Sequence, residues 1–248
     1  MPARIPFLTP RERREAERCL ASLGRLGSAF FFGGYPDAER VCLFLLPDYL
    51  LDALGCSPMD APCEEVLSLL AEEAEEGVCA LRVRGSGFQT LRHKDYLGSL
   101  LALGIERDSF GDIALQSDHE AILFCTRPMR TFLLAHLERV GKDAVRCSPY
   151  TLEEGFTDGR QYRPIHGTVA SARLDCVVAA LTNLSREDAQ RAIREGRVEL
   201  DFEEETRTDL SLTPPATLSI RGYGRFRLRT FEGETRKGRL RFFAEQAI

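Results

Sequence analysis

The chain has 248 residues, 44% of them hydrophobic and 29% charged, a balance that suits a folded globular protein and excludes a largely disordered one. There is no run of about 20 apolar residues and no apolar signal core in Met1 to Leu8, so a membrane or secreted protein is not expected and a cytoplasmic one is. The net charge of −5 excludes a uniformly basic nucleic-acid coat but is unevenly spread: residues 1–164 hold 19 Lys+Arg against 25 Asp+Glu, and residues 165–248 hold 14 against 13.

The first predicted element is a helix. Thr9 and Glu12 form a T-x-x-E capping box, Pro10 suits the first helical position, and Ala16, Leu20 and Leu23 recur at helical spacing before Gly24 to Gly27. Apolar runs at Ala29–Phe32 and Val41–Leu46 read as strands around the turn-rich GGYPDAER segment, where Arg40 and Glu39 are available for a salt bridge. A helix at about Pro62–Glu76 closes an N-terminal α/β unit, residues 1–76.

Residues 77–150 then read as strand Val78–Val83, helix Lys94–Leu103, strands Asp112–Gln116 and Ala121–Cys125, helix Pro128–Val140 capped by Thr126 and stopped by Gly141, and strand Ala144–Cys147. This β-α-β-β-α-β order is the split arrangement of ferredoxin-like and RRM-type domains. The strand HEAILFCT lacks the aromatic pattern with which an RRM stacks bases, so that binding mode is not expected. Polar Thr151–Arg163 marks the main boundary, and the last domain is 165–248.

In that last domain Ser171 is positioned to cap a helix burying Leu174, Val177, Val178 and Leu181, and Ser185 a second one burying Ala189 and Ile193 and stopped by Gly196. Arg173 and Arg186 fall where the helix dipole is positive, at a cost of roughly 0.3–1 kcal/mol. Stability alone does not ask for arginine there; a bound phosphate would, although solvated surface arginines remain the plainer alternative for either residue alone. Arg191 and Arg194, further along the second helix, join this set.

Strands follow at Val198–Phe202, Thr217–Arg221, Phe226–Thr230 and Leu240–Phe243. RGYGRFRLRT places Arg225, Arg227 and Arg229 on one face of a strand and Phe226 and Leu228 on the other. Arg221 precedes it, and Arg236, Lys237 and Arg239 surround a glycine turn, so Arg221 to Arg241 holds eight cations against two acids. A solvated hairpin is the alternative reading, and Tyr223 is a candidate for base stacking or for packing.

R-L-D followed by L-S-R-x-x-A-x-x-x-I-x-x-G-x-V resembles the ribosomal protein S-four domain, or alpha-L RNA-binding motif. FGGYPDAER, HKDYLGSLLALGIERDSFGDI, RGYGRF and TRKGR extend the resemblance to the bacterial YlmH family over most of the chain. The resemblance implies an N-terminal unit, an RRM-like middle domain and a C-terminal S-four domain. It also implies binding to rRNA or tRNA on the large ribosomal subunit in rescue of stalled nascent chains, a link to cell division, and RNA contacts at Arg173 and Arg186. Two loops depart from the S-four pattern, Val198 to Phe202 and Thr213 to Ala216, and Glu203 to Glu205 would repel phosphate there.

Catalysis is not expected. Asp175 invites comparison with the R-L-D aspartate of pseudouridine synthases, but here the motif opens the S-four segment itself and has no second copy. RGSGFQ lacks the third glycine of a dinucleotide loop, and His93, Lys94 and Asp95 point apart on a helix, where capping explains them better. The eight cysteines are scattered singly, so neither a metal nor another cofactor is expected. The expected partners are structured RNA and the ribosome, with no membrane and no DNA. An RNA-modifying enzyme and a protein adaptor of the division machinery are the competing readings.

Overall fold

The computed structural model describes residues 3–46, 49, 77–152 and 156–248; the expected helix at Pro62–Glu76 lies outside them. The chain divides into two compact units, Met1–Gly159 and Arg160–Ile248. Among the described residues it is a mixed α+β protein with three antiparallel sheets and five α-helices.

In the first unit, β1 (Ala3–Leu8), α1 (Pro10–Ser22), β2 (Ala29–Phe32) and β3 (Val41–Leu45) build a sheet of order β1-β3-β2. The Thr9 capping box is present: the Glu12 N–H donates to Thr9 Oγ1 at 3.3 Å, and the Thr9 N–H donates to the Glu12 carboxylate at 2.6 Å. Strand β1 was not expected. It contains Pro6, which cannot donate to a ladder, and it is accommodated as an edge strand whose register shifts between Ile5 and Leu8.

The second sheet is formed by β4 (Val78–Gly85), β5 (Phe110–Ser117), β6 (Glu120–Thr126), β7 (Arg139–Val140) and β8 (Asp143–Tyr150), in the order β5-β6-β4-β8-β7. Helices α2 (His93–Ala102) and α3 (Arg127–His136) interrupt it in the chain order read from the sequence. The second helix stops at His136 rather than Val140. Arg139 and Val140 instead pair with Ala144 and Asp143, Gly141 serves as a left-handed turn residue (φ 59°), and the Val145 N–H donates to the Glu138 carbonyl at 2.9 Å. Thr126 occupies the N-cap of α3 without a side-chain capping bond.

Both faces of this sheet are covered, which is why its central strands read as nearly continuous apolar runs. Leu81, Val83, Leu123 and Cys125 pack with Tyr96 and Leu100 of α2 and Leu133 of α3. On the other face Ala80, Ile122 and Phe124 share a core with Phe7, Phe30 and Phe44 of the N-terminal sheet.

The motifs GGYPDAER and HKDYLG…FGDI meet in this unit. Buried Asp112 accepts hydrogen bonds from the Tyr35 hydroxyl (2.7 Å), the Glu39 N–H (2.7 Å) and the Arg40 N–H (3.2 Å). Arg40, available for a salt bridge by its sequence, is buried, and its guanidinium donates to the carbonyls of Phe7 (2.9 Å) and Arg107 (3.0 Å). Asp95 caps α2 by accepting the Arg92 N–H at 2.8 Å, as capping of that motif requires.

The second unit contains β9 (Tyr162–Val169), α4 (Leu174–Thr182), α5 (Arg186–Arg194), β10 (Val198–Leu200), β11 (Glu203–Glu204), β12 (Ala216–Ile220), β13 (Gly224–Glu234) and β14 (Leu240–Ala247). Its sheet runs β11-β10-β12-β13-β14-β9. Strand β9, part of which was read as linker, pairs along its whole length with β14. Its sequence YRPIHGTV hides this: Pro164 is tolerated at an edge, and Gly167 leaves room for the Phe242 ring, which a Cβ there would approach to 2.6 Å.

Helix α4 is not capped by Ser171. Its N-cap is Arg173, and the N–H groups of Leu174 and Asp175 donate to the carbonyls of Leu210 (2.8 Å) and Thr208 (3.1 Å) in a distant loop. Ser185 does cap α5, accepting the Asp188 N–H at 3.1 Å. Strand β10 ends two residues early because Asp201 (φ 50°) and Phe202 (φ 71°) form a left-handed turn, held by a hydrogen bond from the Thr217 N–H to Asp201 Oδ1 at 2.8 Å.

Candidate nucleic-acid interface

The sheet of the second unit separates the expected cations into groups. Phe226 and Leu228 of β13 point inward and share a core with Leu174, Val177 and Val178 of α4 and Ala189 and Ile193 of α5. Strand alternation then puts Arg225 and Arg227 on the face away from the helices. Arg173, Ser185, Arg186, Arg191 and Arg194 belong to the helix side, Arg221 to the β12–β13 turn, and Arg236, Lys237 and Arg239 to the β13–β14 hairpin.

On the helix side, Arg173 and Arg186 converge on one carboxylate. Asp175, fully buried in the first turn of α4, accepts from Arg173 Nε and Nη2 (3.2 Å each), Arg186 Nε (3.1 Å) and Gln190 Nε2 (2.7 Å). Burial pushes the Asp175 pKa up, but the hydrogen bonds from Arg173, Gln190 and Arg186 outweigh it and hold the group well below the usual carboxylate range. Stability therefore does ask for arginine at both helix starts, contrary to the reading from the dipole alone: without them a buried carboxylate would lose its counter-charges.

The arginines are not consumed by this role. Their side chains remain 38% and 55% exposed, and Asp175 engages only the Nε of Arg186. The two guanidinium groups share one buried carboxylate, with Asp209 also acting on Arg173, and keep N–H groups in reach of solvent. Further along α5, Arg191 pairs with Asp188 and Arg194 Nη2 donates to Gln190 Oε1 at 3.4 Å.

Past the end of α5 the chain forms a cleft of about 310 Å³ lined by Arg197, Arg221 and Arg225 with Glu199 and Gly222. A smaller hollow of about 120 Å³ beside it is lined by Arg191, Arg197, Arg221 and Tyr223 with Asp188 and Glu195. Arg191, Arg221 and Arg225 are thus brought near one another around Arg197, which the sequence reading passed over because it sits alone between two acidic residues. In the hairpin, Arg239 is anchored to Thr168 through its carbonyl (2.8 Å) and hydroxyl (3.1 Å), while Arg236 and Lys237 are exposed around Gly238.

The unit Arg160–Ile248 carries 16 Lys+Arg against 13 Asp+Glu, so its charge opposes that of the whole chain. Among the described residues, no three His, Cys, Asp or Glu side chains gather in a way that would hold a metal ion, and no helix is long and apolar enough to cross a membrane.

These features define a class: an α+β protein whose C-terminal unit presents arginines on a helix pair backed by an antiparallel sheet. Residues 79–154 match the family described as "Putative RNA-binding domain in YlmH". The chain is 29% identical over 241 residues to "Ribosome-associated protein quality control protein P2" of Bacillus subtilis (strain 168), covering 97% of this chain and 85% of that protein. A solved structure, "Cell division protein ylmH from Streptococcus pneumoniae", aligns with a TM-score of 0.43 and 21% identity over 60% of this chain and 79% of its own. The chain is thus similar to YlmH-type proteins, in the matched segment and over nearly its whole length to the Bacillus relative.

Proposed function

We propose that this protein is a non-catalytic RNA-binding factor that docks on rRNA or tRNA of the large ribosomal subunit during quality control of stalled nascent chains. The relative that matches almost the whole chain is named for ribosome-associated quality control, and the matched family segment is named for RNA binding. The strand order β5-β6-β4-β8 around two helices supports an RRM-like, ferredoxin-like reading of residues 77–150. Residues 165–248 are read as an S-four-type domain and residues 1–76 as an N-terminal unit, whose strands β1 to β3 share a core with the middle one.

The observation that carries the reading is the convergence of Arg173 and Arg186 on Asp175. A buried carboxylate fixes two guanidinium groups side by side, so less conformational entropy is lost when they meet a phosphate. The same geometry weighs against an RNA-modifying enzyme: Asp175 is fully buried and already accepts from three side chains. An adaptor for proteins alone would leave the positive balance of the second unit without a role.

Co-sedimentation with ribosomal subunits over a salt series tests this function, since phosphate binding weakens steeply as salt rises. Replacing both arginines with alanine would strand Asp175 and disturb folding, so Arg173→Gln and Arg186→Gln combined with Asp175→Asn, which keep hydrogen-bonding groups and leave no buried charge unpaired, are the informative substitutions. Association that ignores both salt and these substitutions would contradict the function.

A further inference from the structure

The face of the second sheet opposite the helices has a composition that packing does not explain. His166 of β9 and Phe243 of β14 are directly paired across the strands, and their rings stack with centroids 4.8 Å apart and planes inclined by 23°. His166 is exposed and Phe243 half-buried. Beside them the Arg227 guanidinium lies 4.7 Å from the Tyr162 ring centre, and Arg225 lies 5.3 Å from that of Phe202.

Cations frame these rings. Arg241 is exposed and stands opposite Thr168, the residue that anchors Arg239 from the hairpin. Of the acidic groups on this face, Glu245 is paired with Arg229 at 2.7 Å, and Glu199 and Glu204 lie on β10 and β11 at the far edge of the sheet from β9 and β14. Partly exposed aromatic rings among arginines on an antiparallel sheet offer π-faces for bases and positive charge for the connecting phosphates. Helices cover the opposite face, so this surface cannot be part of the Arg173–Arg186 junction.

We propose that this outer face is a second RNA-contacting surface, specific for unpaired nucleotides, with a base stacked on the Phe243–His166 pair and its flanking phosphates held by Arg239 and Arg241. The inference rests on the reading of the second unit as RNA-binding but not on the helix starts. One surface then grips folded RNA by its backbone, and the other takes an adjoining single strand.

The test compares a labelled oligouridine with a labelled RNA hairpin by fluorescence anisotropy, using the full chain. His166→Ala/Phe243→Ala is expected to weaken oligouridine binding by about tenfold or more, leaving hairpin binding unchanged. Phe243→Trp keeps oligouridine affinity, and Arg173→Gln/Asp175→Asn/Arg186→Gln lowers hairpin binding alone. Independently of any substitution, photocrosslinking of a 4-thiouridine oligonucleotide to the unaltered protein should label peptides containing Tyr162, His166 or Phe243. No oligouridine binding by the unaltered protein, as when a protein partner occupies this face, or crosslinks confined to α4 and α5, would overturn the proposal. Loss of hairpin binding is read separately and bears only on the proposed function.

Discussion

Arg186, the first residue of α5, donates through Nε at 3.1 Å to the carboxylate of Asp175, in the first turn of α4. One hydrogen bond thus ties the two helix starts together, and Arg173 and Gln190 complete the knot. The same carboxylate stabilises the fold and aims the cations proposed to meet RNA, so substitutions here have linked consequences.

Asp175→Asn removes a negative charge next to two arginines, and simple charge counting would have it strengthen RNA binding. If orientation of the guanidinium groups matters more, it weakens hairpin RNA binding several-fold and also costs about 1–3 kcal/mol of stability. Anisotropy titration with chemical denaturation of the same sample separates the two effects. Tighter binding by the variant would exclude a positioning role for Asp175.

The same group makes stability depend on pH. Its carboxyl titrates lower in the folded chain than the ~3.9 of a free aspartate, so the stabilisation is fully present above about pH 4 and is lost as pH falls further. Unfolding midpoints in urea should therefore show a gap between the unaltered protein and Asp175→Asn that is widest near neutrality and narrows below about pH 4. A gap of constant size throughout would mean that ionisation of Asp175 is not what stabilises the junction.

Asp112→Ala should destabilise the first unit by about 2–4 kcal/mol, because the Tyr35 hydroxyl and two backbone N–H groups lose their acceptor in a buried site. Thermal melting reads the loss directly. A change within about 0.5 kcal/mol would mean that solvent replaces the carboxylate at little cost.

Gly34→Ala should be similarly severe. Gly34 has φ 102° and a Cβ there would lie 2.3 Å from Cδ1 of Phe124, a ring in the shared core, so backbone strain and a steric clash coincide. Poor soluble expression or a strongly lowered melting temperature is the expected result, and a variant as stable as the original would show that the loop has room to shift.

Much of the architecture was legible because local signals agreed with the tertiary outcome. The Thr9–Glu12 box, the Ser185 cap and the Arg225–Arg229 alternation each depend on residues close in sequence, and each appears as read. What escaped depends on distant partners. Strands β1 and β9 contain prolines that argue against strand, and only their edge positions make them tolerable. Ser171 looked like a cap because nothing nearby announced that the carbonyls of Thr208 and Leu210 would receive the first N–H groups of α4.

The candidate interface was legible as a set of cations but not as a geometry. Asp175 reads as an ordinary helix residue, since a sequence does not display that an arginine eleven positions further on will join Arg173 at its carboxylate. His166 and Phe243 carry no motif at all; they become neighbours only when β9 pairs with β14.

The most direct test of the account is the salt dependence of ribosome association for the neutral triple variant Arg173→Gln/Asp175→Asn/Arg186→Gln beside the unaltered protein. Its side chains can still hydrogen-bond to one another, so circular dichroism and melting should confirm a folded chain while two phosphate-directed charges are gone. The account predicts weaker co-sedimentation and a slope of log affinity against log salt that is shallower by about 2. An unchanged affinity and an unchanged slope in a folded variant would contradict it.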